Sequence, residues 1–376
     1  MKIIYFTSAQ RIEDFKRLLP KWTISPNLSN QNFHNKLIRA LSLTHEVEAI
    51  SIRPTNHLPY PALLGKTVKE GNITWKYVPV NHDKINKWLF LTSRAIKCAG
   101  EPAKDDVVIT DTLNLSILKA AIRYARKYDL KILGVCTDNP LNISFTSESY
   151  RNNVLSLGRS LDGFICLTEK LSELYDKEGK PAVVIDGITE ASSKRKCEHE
   201  IKDPYIFFGG SLMAKYGVYN LIHAFEALNR THLKLVLCGH HEERNLKAYL
   251  KHCKNVIYLG ALDYDEVNVL EKGALVAVNP RPAMDKIDEC SVPSKTLEYL
   301  ANGVLTITTR NQFLEKNYKE CIVWAETGSA EDLQSALEVA INMSEIEQNK
   351  MKKLAKDVVD KRTSFDTVNR IIESLL

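Results

Sequence analysis

The stretch Val292-Pro293-Ser294-Lys295-Thr296-Leu297-Glu298-Tyr299-Leu300-Ala301-Asn302-Gly303 holds the residues best placed to do chemistry. It lies between an apolar run, Ala274 to Val278, with the turn Asn279-Pro280-Arg281 behind it, and a second apolar run from Val304 to Thr309. That order reads as strand, loop, short helix, glycine stop, strand. Leu297, Leu300 and Ala301 mark an apolar face at helical spacing. Pro293 suits the first position of a helix, where its missing N–H costs nothing, and Ser294 suits the first turn. A helix that starts this way leaves backbone N–H groups unpaired at the positive end of its dipole, which is a ready site for an anion. Lys295 adds a full positive charge and Ser294 a hydroxyl. Glu298 stands one turn further in, where a carboxylate can hold two adjacent ribose hydroxyls. The chemistry implied is the binding of a nucleoside diphosphate.

The joint pattern of Asn-Pro-Arg, then Pro-Ser-Lys, then Glu-Tyr, then Gly before a strand resembles the GT-B glycosyltransferases of family 4, the retaining glycosyl transferases of group 1. The resemblance implies an α/β chain of two Rossmann-like domains facing a cleft, the first for an acceptor and the second for a nucleotide sugar. It implies transfer of a sugar from a nucleotide-diphosphate donor, UDP-linked, to a hydroxyl of a glycan, glycolipid or protein, with the anomeric configuration retained. It implies no metal and no other cofactor, since such enzymes offset the leaving diphosphate with a helix dipole and cations. Nucleic acid is not among the implied partners. Lys295, Lys215, Asp138 and Glu289 are the implied catalytic residues. Gly210, Ser211, Arg281, Ser294, Thr296, Glu298 and Leu262 are the implied donor contacts.

The match is not uniform. After Tyr205-Ile206-Phe207-Phe208-Gly209-Gly210 the family usually carries an Arg, where this chain has Ser211. Tyr216-Gly217 stands where the family has Lys-Gly, with Lys215 one position early. The family often pairs Glu298 with a Glu eight positions before it, but that position is Cys290. Asp285, Asp288 and Glu289 lie nearby, and Glu289 is the favoured replacement. These departures motivate a rival reading, a non-catalytic GT-B subunit that stabilises or targets a partner transferase.

The remaining elements must place these groups. A length of 376 residues suits two domains, each able to bury its own core. Strand signals at Lys2 to Ala9, Glu46 to Arg53, Ile73 to Val80, Asp106 to Asp111 and Lys131 to Thr137 alternate with helical patterns, which argues a parallel sheet. Ligands in such sheets bind beyond the carboxyl ends of the strands. Asn27, Asn30, Gln31 and Asn32 follow the first strand and are acceptor-side candidates, although Asn30 or Asn32 could equally cap the next helix. Asp138 and Asn139 follow the fifth strand, where the family places acceptor-side residues, often a His-Asp pair; Thr137 stands in place of the His. Asp138-Asn139-Pro140 is also a strong turn signal in its own right. The domains are expected at 1–190 and 203–361, around a polar hinge from Ala191 to Pro204, with 362–376 crossing back to the first domain as a helix.

Composition bounds the setting. Hydrophobic residues make up 44% and charged residues 26%, as in a globular protein. The N-terminus carries no signal sequence, and no apolar run approaches the ~20 residues of a membrane span. Eight scattered cysteines show no metal-ligand spacing and no disulfide framework, so a reducing cytoplasm is the expected home. Up to Gly187 there are 26 Lys/Arg against 19 Asp/Glu, and beyond it 25 against 27. The segment Lys84 to Cys98 mixes Lys84, Lys87, Arg94 and Lys97 with Trp88 and Phe90. It reads either as a core helix with solvated lysines or as a peripheral contact with the inner face of a membrane.

Overall fold

The computed structural model describes residues 1–18, 27–54, 64–80, 84–143, 146–190, 201–239, 244–262, 264–282 and 290–376. The chain forms two compact units, Met1–Ile188 with Thr363–Leu376, and Thr189–Arg362. Each is built on a sheet with helices packed against it.

The first unit contains β1 (Lys2–Thr7), β2 (Glu46–Ser51), β3 (Lys66–Glu70), β4 (Ile73–Tyr77), β5 (Val107–Asp111), β6 (Ile132–Cys136), β7 (Gly163–Cys166) and β8 (Ala182–Val184). Their order is β3-β4-β2-β1-β5-β6-β7-β8, all neighbours parallel except β3 and β4. Central strands read as continuous apolar runs because helices cover both faces; β5 and β6 are buried at every position. The β3–β4 hairpin is not foreseen in the sequence. Lys66–Glu70 has Val68 as its one apolar residue and shows no buried position, so it has no apolar alternation to read. The helix Leu28–Leu41 starts earlier than expected. Its cap is Asn27, whose side chain accepts from the Asn30 N–H, so neither Asn30 nor Asn32 caps it. The C-terminal helix Phe365–Glu373 packs in this unit and buries Val368 and Ile372, with Leu375 beyond its end. Asn369 and Glu373 bond to Thr44, and Lys131 Nζ donates to the Leu375 carbonyl.

The second unit contains β9 (Tyr205–Gly209), β10 (Lys234–Cys238), β11 (Val256–Tyr258), β12 (Val276–Asn279), β13 (Thr306–Thr309) and β14 (Val323–Ala325). The order is β11-β10-β9-β12-β13-β14, all parallel. In both units the strand order reverses beside the first strand. Those switch points, β1/β5 and β9/β12, are where a doubly wound sheet opens a crevice at its carboxyl edge.

Candidate active site

Several elements meet at the carboxyl edge of the second sheet. The helix Ser294–Ala301 begins after Pro293, which supplies no side-chain cap, so the first-turn amides are left for solvent or a ligand. The Asn279 side chain at the end of β12 donates to Thr296 Oγ1 at 3.0 Å, which seats this helix start over the strand end. Thr296 Oγ1 also lies 3.5 Å from Thr308 Oγ1, and Thr296 is fully buried. Its side chain is therefore a tie between helix and sheet; only its backbone remains for the donor contact implied by the sequence. Ser294 is exposed on the first turn.

Glycines make the close approaches here. Gly217 has φ +78°, and a Cβ on it would lie 2.1 Å from the Pro280 carbonyl oxygen. A Cβ on Gly239, at φ +136°, would overlap the Gly210 carbonyl. The turns after β9, β10 and β12 are thus in backbone contact, as an edge that receives a phosphate through its amides requires. Gly210 follows β9 and donates its N–H to the Cys238 carbonyl at 2.9 Å. Ser211 and Lys215 are exposed, with Lys215 Nζ 5.1 Å from the Tyr216 ring centre. The Arg281 carbonyl accepts from Thr309 Oγ1 at 2.6 Å. Leu262 packs against the core that contains Tyr205, Phe207 and Tyr299. Glu289 lies outside the described residues.

Lys295 Nζ forms an ion pair with Glu298 Oε2 at 3.2 Å. Burial works against the ammonium charge, but Glu298 and Glu271 outweigh it and hold Lys295 well above the ordinary lysine range. The sequence gives no prior sign of Glu271, which sits on a helix with no unusual spacing. It is almost fully buried on Tyr264–Gly273 and accepts from Asn302 Nδ2 at 2.6 Å. Tyr299, also fully buried, accepts from the Gly209 N–H at 3.2 Å and so joins this helix to β9. Burial, with Glu271 beside it, pushes its phenol pKa far up.

The carboxyl edge of the first sheet is polar as well. Asp111 closes β5, fully buried; Asn30 Nδ2 donates to it at 3.2 Å and His34 Nε2 lies 3.7 Å away. His34 Nδ1 is 2.6 Å from the Tyr5 hydroxyl. Burial lowers the His34 pKa, partly opposed by Asp111. Gln31 is buried, its amide committed to the N–H and carbonyl of Gln10 at 2.9 and 2.7 Å. It is thus a loop brace rather than an exposed acceptor contact. Asn139 caps the turn Pro140–Asn142 by accepting from the Leu141 N–H, and Asp138 is exposed beside it. Asp111 and His34 are the residues that sequence reading missed. A carboxylate ending an otherwise apolar strand is the signal that could have found the first.

Among the described residues no group of three His, Cys, Asp or Glu side chains is arranged to hold a metal ion. None of their helices is long and apolar enough to cross a membrane.

Residues 190–358 match the family model for glycosyl transferases group 1. That span covers nearly all of the second unit. The whole chain is similar in fold to solved GT-B structures. Sucrose-phosphate synthase from Thermosynechococcus elongatus superposes with a TM-score of 0.72 at 12% identity, over 100% of this chain and 98% of that one. The α,α-trehalose 6-phosphate synthase from Burkholderia multivorans gives 0.67 at 10%, over 99% and 95%. Anabaena HepE in complex with UDP gives 0.67 at 12%, over 100% and 99%. At these identities the likeness shows the fold. No curated protein matches the chain by sequence.

Proposed function

We propose that the chain is a retaining glycosyltransferase that moves a sugar from a UDP-linked donor to a hydroxyl of a glycan, glycolipid or protein. The observation that carries this reading is the start of the helix Ser294–Ala301, seated on the end of β12 inside a group 1 domain, with Lys295 and Glu298 in its first turns. The diphosphate would lie on the first-turn amides with Ser294 and Lys295, and Lys215 would approach from the turn after β9. As the sugar–phosphate bond breaks, negative charge builds on the departing diphosphate. A helix dipole, with the Lys295 and Lys215 ammonium groups brought up beside it, would offset that charge. The Glu298 carboxylate would hold the ribose hydroxyls. The departing phosphate can take the acceptor proton in a front-face reaction, so no strong protein base is needed. Asp138, exposed after β6, would orient the acceptor. The proposed chemistry uses no metal, and turnover is expected to survive a chelator.

Ser211, in place of the family's Arg, leaves the diphosphate one cation short and favours a second reading, a non-catalytic subunit. Assays of UDP-glucose and other nucleotide sugars with the purified protein, with and without glycan acceptors, separate the two. Slow donor hydrolysis that a matching acceptor accelerates supports the enzyme. No turnover with any donor, joined to activation of a partner transferase, supports the subunit.

A further inference from the structure

In the first unit, Asp14 gathers more positive charge than it can neutralise. Its carboxylate accepts from the Tyr77 hydroxyl at 2.8 Å. It pairs with Arg11 Nε and Arg17 Nη2, each at 3.2 Å, and with Lys66 Nζ at 3.5 Å. The elements that carry these groups meet at one edge. Arg11 follows β1, Tyr77 ends β4, and Lys66 opens β3 opposite Tyr77 in the antiparallel pair. Arg53 follows β2, its guanidinium 4.5 Å from the Tyr77 ring centre. This is the carboxyl edge of the first sheet, where a doubly wound fold receives its ligand.

Arg53 lacks a counter-charge. It is only 7% exposed and donates Nη2 to the Leu64 carbonyl at 2.9 Å, but no carboxylate among the described residues pairs with it. Its buried Nε has no hydrogen-bond partner among them. Burial lowers the Arg53 pKa; Tyr77 and Asp14 oppose that effect and Arg17 adds to it, so Arg53 shares the field of the Asp14 cluster. Asp14 is already divided among three cations, and the exposed Glu13 pairs with Arg11 at 3.3 Å. Arg11, Arg17, Arg53 and Lys66 thus face Asp14 and Glu13, an excess of two positive charges. A buried guanidinium is costly until an anion meets it. A carboxylate ligand would leave one charge over. A phosphate monoester carries about −1.5 to −2 at neutral pH, and its oxygens fit the paired N–H donors of guanidinium groups. We propose that Arg53, with Arg11, Arg17 and Lys66, forms a phosphate site, and that the acceptor of the transfer is a phosphate monoester. The site follows from these residues alone; its part in transfer rests on the function proposed above.

The test is calorimetric titration of inorganic phosphate at low salt into the wild type, Arg53→Gln, Arg17→Gln/Lys66→Gln and a charge control, Arg123→Gln/Arg126→Gln. The control residues are exposed on the helix Leu115–Tyr128. Circular dichroism and melting check each fold. Arg17 and Lys66 are 62% and 46% exposed, so their variant keeps the fold even where Arg53→Gln loses it. Saturable binding is expected in the wild type, weakened at least about tenfold in Arg53→Gln and about threefold in Arg17→Gln/Lys66→Gln, with the control within about twofold. No saturable binding overturns the site. So does equal affinity in the wild type and Arg17→Gln/Lys66→Gln, or equal weakening in the control. Glucose 6-phosphate and vesicles containing phosphatidate then separate a sugar phosphate from a lipid headgroup: the true source binds the wild type and not Arg53→Gln. Binding of neither overturns the acceptor assignment. Transfer from UDP-glucose to a plain hydroxyl as fast as to its phosphorylated counterpart also overturns that assignment but leaves the transferase standing. Phosphate binding that passes each arm in a protein with no donor turnover does the reverse.

Discussion

At the scale of single residues, two charged side chains show how different partners give a charge different work. Lys295 is held cationic by Glu298 and Glu271 despite partial burial. Lys295→Ala should weaken UDP by about 1.5–3 kcal/mol, the range for hydrogen bonds to charged groups. Calorimetry with unchanged affinity would remove Lys295 from the donor site. Asp14 is a structural counterpart in the first unit. It is buried, yet it accepts from the Tyr77 hydroxyl at 2.8 Å and faces Arg11, Arg17 and Lys66 at 3.2 to 3.5 Å. Burial alone would raise its pKa, but the Tyr77 bond and the three cations together lower it. A carboxyl that is more acidic when folded adds stability above its unfolded pKa, about 3.9, and loses it as pH falls through the folded value. Urea unfolding should therefore show Asp14→Asn less stable than the wild type at pH 7. That gap should shrink steadily below about pH 4. A gap independent of pH would mean the ionic partners contribute nothing.

At the scale of elements, the tight turns decide what the site can tolerate. Gly217 begins the helix Val218–Ala227 in the left-handed region, directly against the Pro280 carbonyl. Gly217→Ala carries about 1–2 kcal/mol of backbone strain before the clash is counted, so the second unit should lose more than about 2 kcal/mol in denaturant unfolding. A loss below about 0.5 kcal/mol would show that the two turns are not locked together. This contact could not be read from sequence: Lys215-Tyr216-Gly217 looks like a displaced family motif, and only the fold brings Pro280 to it. The helix Ser294–Ala301 was legible because a proline start, helical apolar spacing and a glycine stop agree with one another. Local signals of this kind fail where tertiary contact assigns the role. Thr296 and Gln31 have the chemistry of ligand contacts, but neighbouring strands and loops claim their polar atoms. Glu271 was missed for the opposite reason, since nothing local distinguishes a carboxylate that burial and packing will later isolate.

At the scale of the molecule, the last residues belong to the first unit although the second unit precedes them in the chain. Ile372 is fully buried among Leu37, Leu41 and Val368 in that core. Ile372→Ala should cost about 2–5 kcal/mol. Hydrogen exchange should place the loss on Met1–Ile188 and leave Thr189–Arg362 protected. Equal loss in both would mean that they unfold together. The basic first half carries a further proposal, contact with anionic lipid at the inner face of a membrane. Phe90 is half exposed on the helix Lys84–Ala99, whereas Trp88, Lys84 and Lys87 lie outside the described side chains. Each basic residue near such a surface adds about 1 kcal/mol within a Debye length, so vesicle binding should be weak and fall with salt. Failure to sediment with anionic vesicles at low salt would point to a soluble or protein acceptor. The central claim, that this fold transfers sugar from a nucleotide, is tested most directly by following UDP release from UDP-glucose by the purified chain. The account predicts slow release that rises with a matching acceptor hydroxyl and falls in Lys295→Ala, with an α-linked product. No release from any nucleotide sugar, with Lys295→Ala indistinguishable from the wild type in nucleotide binding, would contradict it.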